Sequence, residues 1–239
     1  MNNRKDNEEY KEHVQESEHK ENISFSTTMA VQSLKSTLNS STSFNSERIS
    51  KDVLLIVERL KNDKDFFELD LTNKNFTTNE KKIIFNALAE NSTVNKVVLS
   101  NVKFNLTDAK NFYDAFEGKN NTSLKSLVLN NNRIDAVTLE WILKTPLSLD
   151  KLVLINNDIG DDGLTLIANL AKVKNLGLQQ NRVTTKGVDA LLNSKNEFTQ
   201  LTYISLKMGN LFGLYQPLEN KITSMENSKE TLGPKISLK

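Results

Sequence analysis

The chain has 239 residues, 37% of them hydrophobic, no cysteine and a formal charge of +1. Charges that cancel so nearly leave no whole-protein field to draw in a nucleic-acid backbone or an anionic lipid surface. The absence of cysteine excludes disulfides, thiol nucleophiles and Cys-ligated zinc, and leaves the redox compartment open.

Residues 1–45 read as a mostly disordered N-terminal segment. Its first 22 residues carry seven acids and four bases with no apolar face, so ordering them would bury too little surface to offset the entropy lost. Their charges lead into no apolar stretch, so a conventional secretory signal is not expected. Both histidines, His13 and His19, fall here, where nothing holds a catalytic or metal geometry. Val31, Leu34 and Leu38 keep helical spacing and allow a short docking helix. Residues 46–65 predict a capping helix, because Val53, Ile56, Val57 and Leu60 make one apolar stripe. The run Val53 to Val57 is the longest apolar stretch, five residues against the roughly 20 that span a bilayer. No membrane span is therefore expected.

From residue 66 to 215 the chain repeats itself. The pattern Leu-x-x-Leu-x-Leu-x-x-Asn-x-Ile is clearest at Leu124, Leu127, Leu129, Asn132 and Ile134. It recurs at Leu149, Leu152, Leu154, Asn157 and Ile159, and again at Val173, Leu176, Leu178, Asn181 and Val183. Weaker copies surround these three, making about six. The equivalent positions Leu69, Val97, Leu127, Leu152, Leu176 and Ile204 are spaced by 28, 30, 25, 24 and 28 residues. In each unit the Leu-x-Leu half alternates as a short strand, and the second half switches to helical spacing after a capping residue: Thr77 or Thr78, Thr107, and Thr184 or Thr185. Residues 216–239 predict a C-terminal capping helix, begun by Pro217, and a polar tail.

These units resemble the ribonuclease-inhibitor-like leucine-rich repeats. The resemblance implies an α/β right-handed solenoid, a horseshoe with a concave parallel sheet and convex helices. It implies that Asn132, Asn157 and Asn181 turn inward and bond the backbone where each strand ends. Lys74 and Val102 stand where that asparagine is expected, and Met208-Gly209 replaces the Asn pair of the last unit, so the end repeats are degenerate.

On such a sheet, residues flanking the core leucines line up in columns. The partner-binding residues expected on the concave face are Lys96, Val98, Ser126, Val128, Asn130, Lys151, Val153, Ile155, Gln179, Tyr203 and Lys207, an apolar stripe with a basic rim. A further column, Asn73, Asn101, Asn131, Asn156 and Gln180, is expected at the strand ends. Asp158, Asp161 and Asp162 lack the spacing of a calcium loop and read as helix-capping acids. Trp141 reads as core or convex surface. No nucleophile elbow, phosphate-binding glycine loop or His-Glu-x-x-His motif occurs.

The expectation is a noncatalytic protein–protein interaction module, monomeric, without cofactor or metal and with a protein partner instead of nucleic acid. Its Asn/Lys/Ser-rich composition resembles bacterial effectors exported by type IV secretion, which would place it in the cytoplasm or, by a non-Sec route, inside a host cell with a host protein as target. The alternative is a substrate-recognition adaptor of a ubiquitin ligase, although residues 1–65 show no F-box pattern.

Overall fold

A computed structural model describes residues 49–170, 173–192, 203–205 and 235–237. The chain divides after Asn62 into two compact units. In the first, α1 (Lys51–Asn62) buries Val53, Leu54, Val57 and Leu60, with Asp52 in its first turn and Arg59 and Lys61 in its last. That charge placement suits the helix dipole. Ile56, counted in the apolar stripe, is only half-buried, and Leu54 takes its place in the buried face.

The second unit alternates strands and helices: β1 (Glu68–Asp70), α2 (Thr78–Glu90), β2 (Lys96–Val98), α3 (Leu106–Phe116), β3 (Ser126–Val128), α4 (Ala136–Lys144), β4 (Leu149–Val153), α5 (Asp161–Leu170), β5 (Val173–Gly177), α6 (Thr185–Leu192), β6 (Tyr203–Ser205) and β7 (Lys235–Ser237). All seven strands form one parallel sheet in sequence order. Each strand thus pairs with its own successor, and from β1 to β6 one helix lies between each pair, the topology a repeat array requires. The register runs Leu69, Val97, Leu127, Leu152, Leu176, Ile204 and Ile236 along one column.

The last of these was missed by the sequence reading, which left it in the polar tail. The structure places it in a seventh strand, 32 residues after Ile204. A signal was present: Ile204-Ser205-Leu206-Lys207 recurs as Ile236-Ser237-Leu238-Lys239. The intervening residues, including the helix expected to begin at Pro217, lie outside the described residues, as do residues 1–48 and the docking helix expected there.

The core is continuous across units. Each strand of the first five buries its residue of the core column, and each helix from α2 to α5 buries an apolar face: Ile84, Phe85 and Leu88; Ala109, Phe112 and Phe116; Leu139, Ile142 and Leu143; Leu164, Ile167 and Ala168. Phe112 links two of these layers, its ring edge-on to Phe85 at 5.2 Å and 4.8 Å from Phe116. Such contacts favour aromatic pairs beyond the area they bury.

The helices start where caps allow. Thr77 caps α2 and forms a reciprocal capping box with Glu80. The cap of α3 is Asn105, not Thr107, which lies inside the helix. The reason is spacing: Asn105 has an acid, Asp108, three residues on to return the bond, and Thr107 has Lys110 there. Asp135 caps α4 by accepting the Thr138 N–H at 2.9 Å. That bond holds the Asp135 carboxyl below its ordinary 3.8. A carboxyl that titrates lower in the fold than in the unfolded chain adds stability that is complete above its ordinary range and lost as pH falls through the folded value. Asp135→Asn keeps the cap without the titration, so its melting temperature should fall less than the parent's between pH 5 and pH 3; equal falls would dissociate the cap from acid sensitivity.

Candidate functional site

The strands stop at a turn built by asparagine. Asn157 Oδ1 accepts the N–H groups of Asn132 and Ile134 at 3.0 and 2.9 Å, and its Nδ2 donates to the carbonyls of Leu129 and Leu154 at 3.0 Å each. Asn132 does the same one unit earlier, accepting from Val102 and Phe104 and donating to Leu99 and Leu129. Asn181 accepts from Ile159 and donates to Leu154 and Leu178. Each amide therefore ties two consecutive units together and satisfies backbone groups that water cannot reach.

Val102 cannot donate in this way, and the unit that holds it has a different device. Lys81, on α2, is buried and bonds the carbonyls of Val102 and Lys103 at 3.4 Å each while pairing with the buried Asp108. Lys81 occupies the fourth helical position, which is Ala109, Leu139, Leu164 and Val188 in the helices that follow. The pair was invisible in sequence because a lysine four residues into a helix ordinarily faces water.

The preceding column of amides sits at the strand ends, all in the left-handed region: Asn73, Asn101, Asn131, Asn156 and Gln180, with φ between 54° and 62°. Asparagine tolerates that backbone better than other side chains, which accounts for its recurrence. The exposed amides also bond each other, Asn101 to Asn73 at 2.7 Å and Asn156 to Asn131 at 2.6 Å.

The face expected to bind lies beside the core column. Val98, Val128 and Val153 are register neighbours on adjacent strands. They are half-buried, not exposed as sequence geometry had suggested, because each shields the next. The row ends at Gly177, where an added Cβ would lie 3.1 Å from Val153 Cγ1. Lys96 and Ser126 are half-buried; Lys96 is paired with Glu68 at 2.8 Å. Lys151 is exposed. Asn130 is committed to the fold, its Oδ1 accepting the Ile155 N–H at 2.9 Å. Ile155 and Gln179 are half-buried beside it. Tyr203 takes its register position opposite Asn175 in β6, and Lys207 lies outside the described residues. On the neighbouring strand β1, hydrogen bonds from Thr72 hold the Asp70 carboxyl below its ordinary value, with the Lys96 charge adding to them. The face thus carries acids on β1, an apolar middle and an exposed cation on β4.

Two of the aspartates after β4 have protein partners, and Asp162 lies with Asp161 in the first turn of α5. Asp158 pairs with Arg182 at 2.8 Å, and Asp161 accepts both the N–H and the hydroxyl of Thr184 at 2.7 Å. Trp141 is half-buried on α4, edge-on to Tyr113 at 5.4 Å, with the Lys110 and Lys144 ammonium groups 5.4 and 5.5 Å from its ring. Sequence reasoning missed a polar groove at the turns, about 430 Å3, lined by Asn131, Arg133, Asn156, Asn157, Asp158 and Arg182. Carrying the column comparison two residues past the strand-end amides would have aligned Lys103, Arg133, Asp158 and Arg182.

The described residues form a repeat array of parallel strand–turn–helix units with an asparagine-bonded turn, an alternation consistent with leucine-rich-type repeats. No protein-family model and no curated protein matches the chain. Among solved structures, the chain is similar to one titled "Leiomodin-1 Actin-Binding Site 2 (ABS2)", with 18% identity and a TM-score of 0.45 over 76% of this chain and 94% of that one. No helix among the described residues is long and apolar enough to cross a membrane.

Proposed function

We propose that the chain is a noncatalytic protein-interaction module of the ribonuclease-inhibitor-like kind, taking a partner protein on the sheet face beside its core column. The observation that carries this reading is the register: Val98, Val128 and Val153 stand side by side on three consecutive strands and still keep part of their surface open to solvent. An unbroken apolar row with charged groups at its margins is the composition of a contact patch. The setting we propose is that of an effector acting on a host protein, supported by composition alone.

The test must respect the packing. Glutamates at both Val128 and Val153 would sit directly opposite each other and repel. Val128→Lys with Val153→Glu keeps the net charge and sets opposite charges in register. Half-buried positions of this kind should cost about 1 kcal/mol or less each, so circular dichroism should be unchanged and melting only slightly lower. Any partner that the parent chain captures should be lost from the variant. Capture at parental strength by the folded variant would remove this face as the binding surface.

A further inference from the structure

The groove at the turns lies outside the columns assigned to the face, but it adjoins them. Asn131 follows Asn130, and Asn156 follows Ile155. Its two arginines differ. Arg182 is occupied by Asp158. The Arg133 guanidinium has no hydrogen-bond or ion-pair partner among the described residues, and neither has the Asn131 Nδ2, since Asn131 uses its Oδ1 to accept from Asn156.

The backbone makes Arg133 more informative. It is held at φ 58°, in the left-handed region, as Lys103 is at φ 54° one unit earlier, whereas Asp158 and Arg182 at the equivalent positions are not; Lys103 differs in donating to Asn75. A long cationic side chain is a poor choice for that conformation, and glycine or asparagine would relieve it. Arg133 therefore neither satisfies a neighbour nor suits its own turn. Side chains of that kind, in sparsely populated backbone, cluster where a ligand is held.

The chemistry selects the ligand. Two guanidinium groups and one carboxylate leave the groove with a single net positive charge, presented by a planar fork beside an amide donor. A carboxylate matches that fork in shape and charge. A doubly charged phosphate would leave one charge uncompensated and face Asp158.

We propose that this groove receives one carboxylate side chain of the protein partner, bound by Arg133 with the Asn131 amide beside it. The proposal rests on the reading that a protein lies on the adjoining face.

The test uses the full chain, with an acetylated, amidated pentapeptide alternating valine with glutamate and its glutamine twin as probes. The glutamate peptide should move the Arg133 Nε–H resonance and bind about tenfold tighter than the twin. Arg133→Asn should erase that difference and melt no lower than the parent, because asparagine suits the turn. Asp158→Asn, which releases Arg182, should widen the difference. An undiminished glutamate preference in Arg133→Asn, a marked loss of its stability, or no binding of the glutamate peptide by the parent would each overturn the proposal. So would a stronger response of the Arg133 resonance to inorganic phosphate at matched ionic strength. The two readings separate cleanly: the Val128→Lys, Val153→Glu variant reports on the face through both peptides alike, whereas the glutamate–glutamine difference reports on Arg133 alone.

Discussion

Asn157→Ala should unfold the middle of the array at far lower urea than Asn156→Ala, although the two positions are adjacent and chemically identical. Removing the Asn157 amide strands the buried N–H groups of Asn132 and Ile134, while the carbonyls of Leu129 and Leu154 keep bonds from Asn132 and Asn181. Each buried N–H left bare costs about 1–3 kcal/mol, so the substitution should cost roughly 2–6 kcal/mol. That is a large fraction of the stability of an ordinary domain. Asn156 is exposed, and its amide bonds only Asn131. Its replacement loses one solvated bond and some left-handed tolerance, together about 1–2 kcal/mol. Urea midpoints for both variants check this, and a reduced m-value for Asn157→Ala would show that the array has split into parts. Equal midpoints would mean that the turn amides do not tie the units together.

Asp108→Ala should be nearly as damaging, for a different reason. It leaves the Lys81 ammonium buried without its counter-ion, and breaking one side of a buried pair costs about 3–5 kcal/mol. Asp108 is itself fully buried, and its Oδ1 has no partner among the described residues. The pair is therefore an incompletely satisfied one. Replacing both partners with the residues found at the corresponding places of α4, as Lys81→Leu with Asp108→Thr, should recover most of the loss, because apolar packing often equals or exceeds a buried ion pair. Melting of the single and double variants completes the cycle. A double variant as unstable as Asp108→Ala would show that the bonds from Lys81 to the Val102 and Lys103 carbonyls matter more than the charge.

Periodicity made the architecture legible. Leucines at fixed offsets within units of about the same length identify the core column, and the strand register follows because parallel neighbours must keep their side chains on one face. Lys96, Val98, Ser126, Val128, Lys151 and Val153 could be placed by that rule before any coordinates. What escaped were features that depend on three-dimensional neighbours. The half-burial of the valines comes from mutual shielding across strands. The Lys81–Asp108 pair joins residues 27 apart in the chain through a helix position that sequence treats as apolar. The left-handed backbone of Arg133 is shared with Lys103 and not with Asp158 or Arg182, and nothing in an arginine announces it. The seventh strand was missed for a simpler reason: one short match, Ile236 to Lys239, lacks the surrounding pattern that made the central units plain.

The chain has no cysteine, so single cysteines at Val98, Val128 and Val153 can be labelled without background, alone and with the partner bound. A cysteine at Val137, 53% exposed on α4, serves as the reference. Binding should slow the labelling of the three sheet positions and leave Val137 unaffected. Protection at Val137 with free labelling at the valine row would put the partner on the helices and contradict the account.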